Sequence, residues 1–128
     1  MKQLMTDHSA NLVEGYLEFA DRVVSGDREV SQWAMEAVAE LVRDDPDVAW
    51  SVITEIIARA KNDRILGFVA AGPLEELLVN HGHRVMPDVE GLARSDQKFR
   101  RALTGVWISG PSDIAKKIEI LVEGEPRL

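Results

Sequence analysis

Residues 67–82 read GFVAAGPLEELLVNHG, and how this stretch is built decides the fold. From Ile65 to Ala71 apolar residues fall on nearly every side of a helical projection, so the segment is expected at the centre of the molecule. Gly72 and Pro73 then interrupt it. Both are poor residues for a helix interior, because glycine loses the most backbone entropy and proline has no N–H. If a helix restarts at Pro73, Gly72 is its N-cap and Glu75 its third residue, a good start pattern. The free N–H groups of such a start can hold a phosphate or carboxylate. Here the carboxylates of Glu75 and Glu76 already occupy that turn and repel an anion. The pair therefore reads as a kink or a restart, with helix on both sides. Ile65 to Leu78 are expected to be mostly buried, and Gly72 to allow a neighbour's close approach.

Upstream, Leu12, Tyr16, Phe19, Ala20 and Val23 recur at helical spacing, which predicts a first helix over residues 9–24. Thr6, Asp7 or Ser9 is its N-cap, and Gly26 lies just past its end. Val30, Trp33, Ala34, Ala37, Val38 and Leu41 give a second helix, with Trp33 in the core. Asp44-Asp45-Pro46 ends it, since the residue before a proline is pushed out of the helical region. Asp45 then caps a third helix with Pro46 at its first position; this one carries Ala49, Val52, Ile53, Ile56, Ile57 and Ala60 and stops near Lys61-Asn62. Asp63 is expected to cap the fourth.

Downstream, Gly82 reads as a C-capping glycine followed by a fifth helix over residues 84–93. A sixth starts at Asp96 and contains Phe99, Leu103 and Val106 or Trp107. The break Gly110-Pro111-Ser112-Asp113 starts a seventh with Ile114, Ile118, Leu121 and Val122. Residues 1–123 form a single domain and residues 124–128 a loose tail. No segment alternates with period 2, so the expected class is all-α: an antiparallel stack of about seven helices. Residues 47–63 with 64–78, and 84–96 with 97–107, pair as hairpins with a repeat of about 40 residues, the period of HEAT-like α-solenoids. An irregular helical bundle is the alternative.

The 128 residues are 45% hydrophobic and 29% charged, enough for one core and too polar for a membrane protein. No apolar run reaches the ~18 residues of a span, and the N-terminus lacks a signal-peptide core, so a cytoplasmic protein is expected. The absence of cysteine excludes disulfides, zinc-thiolate sites and thiol nucleophiles. Residues 1–48 hold 11 acidic and 4 basic side chains, a net of −7, whereas residues 49–128 hold 11 of each. That imbalance disfavours nucleic acid as a partner and favours a basic protein. The simpler reading is an acidic face that only confers solubility.

Catalytic signals are sparse. The serines at 25, 31, 95 and 112 sit where capping explains them, and no nucleophile elbow or phosphate-binding glycine loop occurs. Adjacent carboxylates such as Asp44 and Asp45 point about 100° apart on a helix and do not face each other. His81-Gly82-His83 has the look of a metal motif, but His8 is distant and no other ligand is at hand. A histidine at a helix C-terminus has a simpler role with the terminal carbonyls. No metal and no cofactor are expected. Trp50 lies off the apolar stripe of its helix beside Asp44, Asp45 and Asp47, the composition of a binding hot spot, unless it folds against a neighbouring helix.

At AAGPLEELLVNHG, followed by VEGLARSDQKFRRALTGVW, the chain resembles a group of small bacterial proteins known only as a domain of unknown function. The resemblance covers about Ala49 to Trp107, on Gly67, Ala71-Gly72-Pro73-Leu74-Glu75, His81-Gly82 and Gly105-Val106-Trp107. It implies a helical cytoplasmic bacterial protein and assigns no activity.

The function expected from the residues is a non-catalytic interaction protein, in a concrete version an immunity-type protein that neutralises a basic toxin. The partner surface is Glu36, Glu40, Asp44, Asp45, Asp47 and Trp50. The alternative is a small enzyme or ligand-binding domain using Glu75, His81 and Arg84 at a cleft near Gly72-Pro73.

Overall fold

The computed structural model describes residues 7–108 and 112–128. Within them every regular element is helical: α1 (Asp7–Val24), α2 (Trp33–Asp44), α3 (Pro46–Arg59), α4 (Asp63–Val69), a π-helical turn (Ala70–Leu74), α5 (Glu75–Ser95), α6 (Gln97–Leu103) and α7 (Asp113–Leu121). The expected start signal Thr6 and the break residues Gly110 and Pro111 lie outside the described residues. Ser9 lies inside α1, past its first residue.

Several helix ends follow from their own residues. α1 stops in a Schellman turn: Gly26 takes φ 92°, the Asp27 N–H bonds the Arg22 carbonyl and the Gly26 N–H that of Val23. Asp45 accepts the Val48 N–H, with Pro46 first in α3. Asp96 accepts the Phe99 N–H and Ser112 that of Ala115. Asn62 and not Asp63 caps α4, its side chain accepting the Ile65 N–H. Asp63 is thereby freed to pair with Arg101 at 2.7 Å, whose hydrogen bond holds the Asp63 carboxyl below the usual carboxylate range. α6 ends at Leu103, so Val106 and Trp107 follow it outside the helix.

The Gly72-Pro73 pair is a kink with helix on both sides, one of the two readings expected of it. Residues 63–95 run as one helical stretch, and the seven helices expected become six such stretches among the described residues. Proline at 73 has no N–H for the carbonyl four residues back. The chain absorbs the deficit by one wider turn, in which the Glu75 N–H reaches the Ala70 carbonyl and Gly72 takes non-helical angles (φ −102°, ψ −106°). Close approach is not the reason for glycine here, since a Cβ would lie 3.7 Å from the Tyr16 hydroxyl, an ordinary contact. Ile65, Leu66, Val69, Ala70, Pro73, Leu74, Leu77 and Leu78 are buried, as the central position requires.

A second bend falls at His81 (φ −135°, ψ 25°), yet the helix continues to Ser95. Gly82 is not a C-cap: it has no positive φ, and it is buried where a Cβ would lie 2.8 Å from Ile114.

Packing joins elements two apart: α1 on α3, α3 on α5 and α5 on α7, with α1 also on α4 and α3 on α6. α2 in addition touches α5 and the π-turn, which draws the helices into a bundle. Basic side chains complete helix C-termini about 40 residues upstream. Arg64 donates to the Val24 carbonyl at the end of α1, and His81 to Val42 near the end of α2 at 2.7 Å. Lys98 donates to Ala58 and Ala60 at the end of α3 at 2.9 and 2.8 Å. These groups satisfy carbonyls that no helical N–H can reach and place a donor, cationic for Arg64 and Lys98, at the negative helix end. Lys98→Met is expected to keep the stem's packing and lose both bonds, lowering stability in urea by about 1–2 kcal/mol; a change within error would show that water replaces the ammonium.

Residues 125–128, read as loose from sequence, fold back. Leu128 N–H donates to Thr104 Oγ1 at 3.0 Å, Arg100 pairs with Glu125, and the Pro126 carbonyl accepts from Arg101.

Candidate functional site

The acidic surface expected from the sequence divides in space. Asp44 pairs with Arg43 on its own helix, Asp45 is engaged as the α3 cap, and Asp47 takes the guanidinium of Arg84 at 2.7 Å. In α1, Glu14 and Asp21 reach Arg59 and Lys61. Much of the charge that is segregated along the chain is therefore matched by cations from its second half. Glu36 and Glu40 differ: both are exposed, and neither has an ion pair among the described residues.

Of the three tryptophans, Trp33 leaves the core place expected of it, and Trp50 takes the second of its two readings, folded against a neighbouring helix. Trp50 is half-buried, edge-on to Phe99 with centroids 5.5 Å apart, so it belongs to the α3–α6 contact and is not an exposed anchor. Trp33, expected in the core, is 51% exposed. Its indole lies across α1 at Gly15, where a Cβ would come within 2.3 Å of the ring. Trp33, Glu36 and Glu40 stand at i, i+3 and i+7 of α2 and so share one outward face.

Glu75, His81 and Arg84 do not form a common site. Glu75 Oε1 accepts the Trp107 N–H at 2.7 Å and ties residues 106–108 to the start of α5. The His81 imidazole is engaged by Val42 and Arg84 by Asp47. A shallow surface depression includes His81 and Arg84 but excludes Glu75. Among the described residues no cluster of three His, Asp or Glu is arranged to hold a metal ion.

A cleft does exist at the Gly72-Pro73 turn, built from other residues. Where the π-turn meets α2, a groove of about 270 Å³ lies between Met35, Val38 and Ala39 and the side formed by Phe68 and Pro73. Tyr16 and Glu76 are its polar side chains. Tyr16 is 2% exposed and meets Phe19 edge-on and Phe68 at a tilt, but its hydroxyl makes no hydrogen bond among the described residues. Burial, and then the Glu76 carboxylate, push its pKa up, so it stays a neutral phenol. Sequence patterning placed Tyr16 in the core stripe. The available signal was the residue type itself, since a tyrosine in a phenylalanine-like position has a hydroxyl to place. Tyr16→Phe removes an unpartnered group and is expected to leave thermal stability unchanged or raise it by up to about 1 kcal/mol; a clear loss would reveal a bond made by that hydroxyl in solution.

No described helix is long and apolar enough to cross a membrane. No curated protein and no solved structure matches the chain. A match to a family of unknown function (DUF6869) covers residues 21–125. It extends past both ends of the stretch that carries the resemblance and takes in α2. With most of its length inside that match, the chain belongs to the family of unknown function DUF6869.

Proposed function

We propose that the protein is a non-catalytic interaction module that binds a basic protein partner through the outward face of α2. The observation that carries this is the alignment of exposed Trp33 with Glu36 and Glu40, two carboxylates beside a large aromatic that have no counter-charge among the described residues. An exposed aromatic supplies contact area, and unpaired charge next to it accelerates encounter with a cationic surface. This moves the expected surface away from Asp45, Asp47 and Trp50, which have structural partners. The non-catalytic part is supported by the separate engagement of Glu75, His81 and Arg84. A partner that is a basic toxin, held by an immunity-type protein, is the concrete version.

The same reading takes the helix pairs α1/α2, α3/α4 and α5/α6 as stacked, HEAT-like units. It is supported by the packing of equivalent elements two apart, α1 on α3, α3 on α5 and α4 on α6, as stacked helix pairs require.

A photo-crosslinking side chain at Asp44 identifies the partner. The double variant Glu36→Lys, Glu40→Lys is then expected to slow its association about tenfold at low salt and to flatten the salt dependence, and Trp33→Ala to speed dissociation. Unchanged, salt-insensitive rates in both variants overturn the assignment.

A further inference from the structure

The groove beside the π-turn has no part in the α2 surface proposed above, and its chemistry is different. Its walls are apolar, with Met35, Val38, Phe68 and Pro73 among them. Two polar side chains line it, the Tyr16 hydroxyl and the Glu76 carboxylate. Tyr16 is 2% exposed; its hydroxyl makes no hydrogen bond to a described residue, yet no side-chain polar atom among the described residues is both sealed from solvent and unpaired, so the little exposure it has is at this oxygen, which a ligand in the groove can reach. An apolar groove with one accessible phenol hydroxyl and one carboxylate has the few convergent polar groups of a small-ligand site.

We propose that this groove binds a small apolar amine, with its ammonium between the Tyr16 hydroxyl and the Glu76 carboxylate and its hydrocarbon body against Met35, Phe68 and Pro73. The carboxylate selects a cation over an anion. The phenol oxygen accepts an ammonium N–H, and the Phe68 ring adds apolar lining to the groove. Size decides between a molecule and a polypeptide segment. The groove, about 270 Å³, lies just under the ~300–1,000 Å³ range of small-ligand sites. It offers a small fraction of the ~800 Å² per partner that a stable protein interface buries.

Tyr16 is the single tyrosine of the chain, so 3-fluorotyrosine labelling places one ¹⁹F resonance in the groove. Three probes of similar shape are titrated: 2-phenylethylamine, 2-phenylethanol and 3-phenylpropionate. The amine is expected to give a saturable shift with a dissociation constant on the order of millimolar, typical for so few atoms. The alcohol should bind about tenfold more weakly, and the anion should give no shift. Glu76 is exposed, so Glu76→Gln should fold normally and abolish the preference of amine over alcohol. Ala39→Leu, at an exposed groove position, should block all shifts while leaving the melting temperature in place. Absence of a saturable shift, equal binding of amine and alcohol, or a preference that survives Glu76→Gln overturns the proposal. So does a short lysine-containing peptide that binds more tightly than the amine, because the occupant is then a protein segment.

Discussion

Replacing Phe99 with alanine is expected to lower the free energy of unfolding by about 3–5 kcal/mol, the range for a fully buried aromatic truncated to a methyl. Phe99 is completely buried. Its position is set twice. Asp96 caps its backbone N–H at 3.0 Å, and Trp50 meets its ring edge-on at an interplanar angle of 81°. Because α6 packs on α3, α4 and α5, the vacated volume lies among four helices whose backbones are each held elsewhere, so collapse to fill it is limited. Urea denaturation measures the loss. Trp50 loses its partner ring in the same variant, so a change in native-state fluorescence should accompany the drop in midpoint. A loss below about 1.5 kcal/mol would mean that Trp50 swings in to fill the cavity, since cost tracks residual cavity volume.

Enlarging Gly82 to leucine is expected to displace α7. A bare Cβ at this position would already lie 2.8 Å from Ile114 Cγ1 and 2.9 Å from its Cδ1, and the added isobutyl group has no space to enter. α5 is the helix on which α7 chiefly packs, and Ile114 and Ile118 are its buried residues. Overpacking of this kind costs about 1–3 kcal/mol, and the damage should stay local. Amide exchange should accelerate across residues 113–121 while the amides of α1 and α3 keep their protection. Uniform acceleration would show that α7 and the rest of the bundle unfold as one unit. The experiment also separates two roles for Gly82: a C-capping glycine would need a positive φ, which only Gly26 and Gly124 adopt among the described glycines.

How much was legible in the residues differs between backbone and surface. Asp45 before Pro46, Asp96 and Ser112 were readable as caps because a side-chain oxygen and an N–H three positions on are close in any chain that turns helical there. Asn62 was passed over for Asp63, since both carry a suitable oxygen and one position decides between them. Gly72-Pro73 was readable as a disturbance in a buried helix. Its resolution as a wider turn was not, because a terminated helix and a π-turn differ only in whether the following turn stays packed. The candidate site was the least legible part. Residues 35, 38 and 39 meet residues 68, 73 and 76 across a groove, and nothing in either segment announces the other.

By itself the sequence determined the helical class, the positions of most helices, several of their caps and the burial of most apolar residues between Ile65 and Leu78, which follow chiefly from patterns within a few residues along the chain. Tertiary structure alone decided that Trp33 faces outward and Trp50 inward, that Asp47 is matched by Arg84 while Glu36 and Glu40 are not, and that the Tyr16 hydroxyl is left at a groove. Those outcomes depend on groups brought together from far apart along the chain, where side-chain volume and charge at one site are judged against neighbours that local periodicity does not encode.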